Sequence, residues 1–430
     1  MSIVSMSDKD IHAHILQHIG VKNSEKDQFG EVFTSSKLID ELLDHLPASS
    51  WTNPDLKWLD PCAGGGNFFA LVYIRLFKGL ASKMSNGAKR SAHILKNMLY
   101  MVELNPKNVQ ALHKMFGKGA NISTSDFLEQ RDKWTKALGQ GSFDIVVGNP
   151  PFQVSKTGKY DGSVGNRTLW DKFLDMILKK GVLSVKGRLA FITPANWRRP
   201  EHPIYELLTQ TNTLEYLHIY GKKDGQALLG AQTRFDLYVV QEGESKKVDK
   251  TSIIDEKGHS HKINTQSWPF IPNYSFNKIK KILVPAKEGI KVIFSAGEYD
   301  ARKLSKKQTR SKKHPVVHNI TMKGLGIRYA KDKHQSQFGV PKVLLNFNER
   351  QYPHNDFQGK YGMSQLTFGI PIKSKKEGEQ WISAIESPEF EDILRATKWG
   401  AFQTDYRMFK YFNPKMYKNS MFRKTRKNHA

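Results

Sequence analysis

The chain has 430 residues, enough for roughly two or three domains that each bury a core, which excludes a peptide or an isolated small module. It carries 67 Lys and Arg against 41 Asp and Glu, a formal net charge of +26, while 39% of its residues are hydrophobic, as in a folded protein drawn to polyanions. The single cysteine, Cys62, excludes an intramolecular disulfide and any zinc site needing two cysteines, in keeping with a reducing compartment.

The N-terminal stretch 1–20 lacks the apolar run of a signal peptide, and the longest apolar run, 68–74, stops at Arg75. Neither secretion nor a membrane span is expected. Beyond it, short apolar runs of β type at 57–60, 98–103, 121–123, 143–147, 188–193, 214–219 and 235–240 alternate with helical patterns near 67–78, 106–116, 169–180 and 203–210. This alternation predicts an α/β protein with one seven-stranded sheet and helices on both faces. Near Glu242 the texture changes to Gly, Ser and Lys, followed by scattered aromatics, weak periodicity and dense Lys and Arg. A domain boundary is expected there, dividing the chain into 1–241 and 242–430. Basic runs at 302–313 and 423–430 should stay solvated unless an anion is present.

The first strand leads into Asp60-Pro61-Cys62-Ala63-Gly64-Gly65-Gly66-Asn67-Phe68, a tight turn followed by a helix start. Glycine supplies positive φ and lets a ligand approach the backbone, and the end of a strand is where an open α/β sheet binds ligands. The spacing fits neither a phosphate loop, which needs Lys then Ser or Thr, nor G-x-G-x-x-G, which needs Gly where Phe69 stands. The second strand ends in Glu103, whose carboxylate can accept both hydroxyls of a ribose. The third ends in Ser125-Asp126-Phe127, where Asp126 can accept an exocyclic amine and Phe127 can flank an adenine ring. Three successive strand ends thus point to one adenosine-like ligand; the alternative for Glu103 and Asp126 is helix capping or a solvated loop.

The fourth strand ends in Asn149-Pro150-Pro151-Phe152. Two prolines fix φ at successive residues and remove two N–H donors, so the turn presents acceptors. An amino group on a purine is a poor nucleophile because its lone pair is delocalised into the ring. Accepting its two N–H bonds, one on the Asn149 side-chain oxygen and one on the Pro150 carbonyl, favours a pyramidal nitrogen and stabilises the positive charge that develops during attack. The Phe152 ring can stack on the base and hold it in line.

These motifs, in this order, resemble those of S-adenosylmethionine-dependent N6-adenine DNA methyltransferases. Upstream, Phe29-Gly30-Glu31-Val32-Phe33-Thr34 resembles the family's N-terminal cofactor motif, and 187–194 its later core strand. Cofactor motifs first, catalytic motif next and basic region last is the arrangement of the gamma class, including the methylase part of Eco57I-type restriction–modification enzymes. The resemblance covers about residues 29–240 and implies a Rossmann-like seven-stranded methyltransferase sheet, followed by a mixed α+β target-recognition domain. It implies S-adenosyl-L-methionine as cofactor, with Phe29 and Thr34 at its methionine end or adenine and Asp60, beside Pro61, near its amino group. Gly64 and Gly66 would give room for the backbone approach, with Glu103 on the ribose, Asp126 on adenine N6 and Phe127 against that ring. Asn149, Pro150, Pro151 and Phe152 would form the catalytic turn that holds the target base. Phe152 stands where Tyr is commoner, keeping the stacking surface without the hydroxyl. Cys62 is expected to be a small buried residue, because transfer to an exocyclic nitrogen needs no covalent intermediate.

The expected partner is double-stranded DNA, whose adenine must be extruded from the stack and whose phosphates the basic residues can hold. The loop 153–167 is a candidate flap, and Arg310, Lys312, Lys313, Lys323, Arg328, Arg350, Arg407, Arg423 and Arg426 are candidate DNA contacts. Trp399, Phe402, Tyr406, Phe409, Tyr411 and Phe412 could stack on bases or fill a core. No nuclease-like pair of acids stands out and only a short stretch precedes Phe29, so a methylase without its own nuclease is expected, with a separate restriction endonuclease as a candidate partner. A cytoplasmic setting, bacterial or phage-encoded, follows from the same resemblance. His14 with His18 and His314 with His318 lack a third ligand at a usual spacing, and no metal is expected. Alternatives are transfer to RNA adenine, to a protein glutamine or to cytosine N4, or a silent DNA-binding protein that keeps the fold.

Overall fold

The computed structural model describes residues 34–153, 168–243, 250–294, 297–348, 350–400 and 405–422. Phe29, His14, His18, almost all of the 153–167 loop, Phe402, Arg423 and Arg426 lie outside them. The chain forms two compact units, Met1–Trp197 with His202–Trp268, and Arg198–Glu201 with Pro269–Ala430.

The first unit is built on a sheet of order β3-β2-β1-β4-β5-β7-β6-β8-β9. Its strands are β1 Trp58–Asp60, β2 Leu99–Glu103, β3 Asn121–Thr124, β4 Phe143–Gly148, β5 Leu183–Pro194, β6 Thr213–Tyr220, β7 Phe235–Gln241, β8 Thr251–Ile254 and β9 Ser260–Ile263. From β3 to β5 every pairing is parallel, and β7 runs antiparallel between β5 and β6. Parallel strands covered on both faces read as continuous apolar runs, and β1 and β2 bury every residue. One face presents Trp58, Met101, Val147, Ile192 and Leu237 to a shared core. Leu59, Val102, Val146, Phe191 and Tyr238, on the opposite side of the pleat, are equally buried, so both faces are covered.

Local signals place the helices between these strands. The helix Ser36–Asp44 starts where the Ser35 side chain accepts from Leu38 N–H, and it buries Leu38, Ile39, Leu42 and Leu43. The helix Pro106–Phe116 starts on an Asn105 cap with proline in its first turn and stops at Gly117, whose φ is +89°. The helices Asn67–Gly79 and Trp170–Lys179 lie within a residue of the sequence expectation. In place of the helix expected near 203–210, a short helix Pro203–Glu206 runs into a π turn, Leu207–Thr211.

Two expectations need correction. The sheet has nine strands, because β8 pairs parallel with β6 and β9 returns antiparallel beside it. The boundary expected after residue 241 accordingly falls after Trp268, and the change of texture near Glu242 marks the connection from β7 to β8.

The second unit mixes strands and helices. The hairpin of β10 (His314–Thr321) and β11 (Gly324–Ala330) takes β14 (Gly362–Met363) alongside β10. A second sheet places β12 (Lys342–Asn346) between β13 (His354–Asp356) and β15 (Thr367–Pro371). The helices Lys375–Ile385 and Pro388–Ala396 are capped by Ser374 and Ser387. Trp399, Phe409 and Phe412 are buried in this unit, with Phe412 against Phe270 and Phe409, so these aromatics form core. Arg310, Lys313, Lys323 and Arg350 are exposed, whereas Arg407 pairs with Asp405 and Arg328 donates to the Ala301 carbonyl. Among the described residues, no helix is long and apolar enough to cross a membrane.

Candidate functional site

The strand order reverses between β1 and β4, which pair with each other while their chain connections lead to opposite sides of the sheet. The crevice outside the carboxyl ends at such a point is where open α/β sheets bind ligands. The Gly turn follows β1, Glu103 ends β2, Asp126 follows β3, and the Asn-Pro-Pro-Phe turn follows β4.

Hydrogen bonds tie the first three strand ends together. Ala63 N–H donates to the Val102 carbonyl at 3.1 Å and Ser125 N–H to the Glu103 carbonyl at 3.0 Å. The Glu103 side chain, 7% exposed, accepts from Gly64 N–H at 2.7 Å through Oε2 and from Asn105 N–H at 2.7 Å through Oε1. It therefore holds the Gly turn to the end of β2. Gly64 and Gly66 have φ of +50° and +90°, and a Cβ on Gly66 would stand 2.8 Å from Leu112 Cδ2. Glycine at 66 is required both by the backbone and by the helix packed beneath it.

Asp60 is 1% exposed and accepts from Cys62 N–H at 3.1 Å. Burial raises its carboxyl to about 8, against the partial relief of the Cys62 bonds, and the nearby Glu103 charge adds to the rise. The Cys62 thiol is also pushed up, first by burial and then by Asp60 and Glu103, and stays protonated. A Cβ on Gly148 would lie 3.3 Å from Asp60 Oδ1 and 3.5 Å from Cys62 Sγ. That glycine lets the end of β4 close on the β1 turn.

Asn149 follows directly. Its Nδ2 donates to Thr34 Oγ1 at 3.0 Å, and its Oδ1 is buried with no hydrogen-bond partner. Its backbone N–H meets the Cys62 thiol. Pro150 is buried and Phe152 packs partly buried against the main core. Leu169 N–H donates to the Phe152 carbonyl and Gln153 bridges Thr168, so the ends of the loop between them are pinned together at the site.

The structure thus gathers Thr34, Asp60, Cys62 and Asn149 around the junction of β1 and β4, with Glu103 fastened to the Gly turn. Asp126 caps its own turn, with Oδ1 accepting from Leu128 and Glu129 N–H, as the capping alternative anticipates. Phe127 departs from expectation. It is 3% exposed and stacks on Trp134 and Phe173 at 5.3 and 5.2 Å, so its ring is part of the core and does not face a ligand.

Sequence reasoning missed Leu104, 54% exposed beside Glu103 at the end of β2. An exposed leucine next to a buried acid at a strand end was the signal available. It also missed Gly148, which no spacing rule singles out.

Residues 86–225 match the family of Eco57I restriction-modification methylases. An uncharacterized adenine-specific methylase of Mycoplasma pneumoniae is 28% identical over 238 residues, covering 39% of this chain and 55% of the relative. The type II methyltransferase M.PaeR7I of Pseudomonas aeruginosa is 27% identical over 205 residues, covering 42% of this chain and 35% of the relative. The chain therefore spans about half and about a third of the curated relatives it matches. Among solved structures, the type IIL restriction-modification enzyme MmeI in complex with DNA superimposes with a TM-score of 0.54 at 13% identity, over 95% of this chain and 71% of that one. At that identity the likeness is one of fold. The stretch that carries Glu103, Asp126 and the Asn-Pro-Pro-Phe turn is thus similar to the Eco57I restriction-modification methylases, on a mostly parallel α/β sheet of the methyltransferase type.

Proposed function

We propose that the protein is a site-specific DNA adenine-N6 methyltransferase of the gamma class. The observation that carries this reading is the Asn149 side-chain oxygen, a buried acceptor without a donor at the head of a rigid Pro-Pro turn beside the Gly turn. An acceptor left unmade in a buried site is expensive, and an incoming N–H donor removes that penalty. Asn149 Oδ1 and the Pro150 carbonyl would each accept one N–H of the target amino group. Phe152 would stack on the base, and no nucleophilic side chain is needed.

The cofactor reading is supported by the site's own chemistry. Asp60 is a buried acid that holds its proton for want of a nearby cation, and an ammonium-bearing ligand would supply one. Leu104 offers an apolar surface suited to a purine face, and Gly64 with Gly66 leaves the turn open to a close approach. Asp60, Glu103 and Asp126 would hold the amino group, ribose and adenine of S-adenosyl-L-methionine, with Phe127 supporting Asp126 from the core. When bound, that cofactor supplies an electrophilic methyl group on a sulfonium.

Double-stranded DNA as partner is supported by the +26 charge and by the exposed Arg310, Lys313 and Lys323 of the second unit. The chain would act as a methylase beside a separate restriction endonuclease. The test is incubation with plasmid DNA and labelled S-adenosylmethionine, digestion to nucleosides and mass spectrometry. N6-methyladenine is expected, lost in Asn149→Ala while cofactor binding survives. Label in RNA or protein and none in DNA would refute the substrate, and near-normal turnover of Asn149→Ala would refute the mechanism.

A further inference from the structure

Asn149 takes its orientation from a residue 115 positions away, Thr34, whose Oγ1 accepts from Nδ2 at 3.0 Å. Thr34 is 5% exposed and stands immediately before Ser35, the N-cap of the helix Ser36–Asp44. That helix is fixed on two sides. Its apolar residues enter the main core, and Glu41 pairs with His218 Nδ1 and accepts from the Tyr220 hydroxyl, both on β6. The Thr34 hydroxyl is therefore a fixed point on a rigid support.

A primary amide carries a donor on one side and an acceptor on the other, with nearly the same shape either way round. Turned one way, Asn149 offers the site an oxygen; turned the other, it offers an NH2 that would oppose the two N–H bonds of an incoming amine. With Nδ2 engaged at Thr34, the oxygen is left for the site, buried and without a partner.

We propose that Thr34 is a positioning residue for the acceptor amide: its hydroxyl holds Nδ2 of Asn149 so that Oδ1 faces the amino group of the target base. This rests on the methyltransferase reading, and it gives Thr34 a task distinct from contacting the cofactor.

The test compares Thr34→Val, which keeps the shape and removes the acceptor, with Thr34→Ser, which keeps the acceptor. In the free protein, the Asn149 carboxamide protons, assigned by their loss in Asn149→Ala, should exchange with solvent at least about tenfold faster in Thr34→Val than in wild type or Thr34→Ser. Single-turnover transfer to plasmid DNA should fall about ten- to a hundredfold in Thr34→Val and recover to within about threefold in Thr34→Ser. S-adenosylmethionine affinity by calorimetry should stay within about twofold of wild type in both variants, with unchanged melting temperatures. Unaltered exchange in Thr34→Val, a wild-type rate in Thr34→Val, or a rate loss matched by an equal loss of cofactor affinity would each overturn the proposal. If the wild-type chain transfers no methyl group to DNA, the methyltransferase reading fails, while the exchange comparison still decides whether Thr34 holds the amide.

Discussion

Asp60 allows the cofactor site to be interrogated by pH. Its carboxyl keeps its proton to about 8, mainly through burial, whereas the ordinary aspartate value is 3.8. Between those values the folded chain holds one more proton than the unfolded chain, so Asp60 lowers stability as pH rises, by up to about 1.4 kcal/mol per unit. Cofactor binding should run the other way, because an ammonium group pairs only with the ionised carboxylate. Affinity for S-adenosylmethionine should rise with pH, approaching tenfold per unit below about pH 7, and level off near about pH 8, where an α-amino group itself begins to lose its proton. Asp60→Asn is neutral and nearly isosteric, so it should remove both slopes and bind the cofactor weakly at every pH. Calorimetric titration with S-adenosylmethionine at several pH values from about 6 to 8, beside urea unfolding of the free protein at the same values, reads the two slopes as differences between wild type and variant. A wild-type affinity independent of pH over that range, or a slope that survives in Asp60→Asn, would remove Asp60 from the cofactor's amino group.

Glu103→Gln should weaken S-adenosylmethionine binding by about 1–3 kcal/mol through loss of charged hydrogen bonds. It should also shift the levelling of the pH profile downward, since Glu103 is one of the charges that raises Asp60; an unchanged profile would contradict that coupling. Gly66→Ala places a Cβ 2.8 Å from Leu112 on a backbone with φ of +90°, so urea unfolding should show a loss of about 1–3 kcal/mol and calorimetry a damaged cofactor turn. In the second unit, Lys342 Nζ donates to the buried Asp356 at 2.9 Å. Lys342→Met strands that carboxylate and should cost about 3–5 kcal/mol in urea unfolding, much of it recovered by adding Asp356→Asn.

The main sheet was legible because β1, β2, β4 and β7 are apolar runs ended by turn residues, and their carboxyl ends announce the site through Gly, acidic and Asn-Pro-Pro signals. The added strands were not. In β9, Ser260 and Lys262 are exposed, and such a polar edge strand carries no apolar run to read. The helix Lys222–Leu229 was missed because Gly225 reads as a break, yet a Cβ there would stand 2.0 Å from the Thr233 carbonyl, so the glycine serves a close approach that only the folded chain creates. The same limit governed the site. Asp60, Glu103 and Asn149 could be named because each ends a strand, and strand ends have a fixed meaning in this architecture. The direction in which a ring faces has no such marker: whether Phe127 lines a ligand or fills a core depends on Trp134 and on Phe173 of a later helix, and both stack on it. The link from Thr34 to Asn149 crosses 115 residues and exists only because the helix Ser36–Asp44 is anchored through Glu41 to β6. Sequence supplies the reacting groups in this protein, whereas their orientation depends on packing between segments distant in the chain.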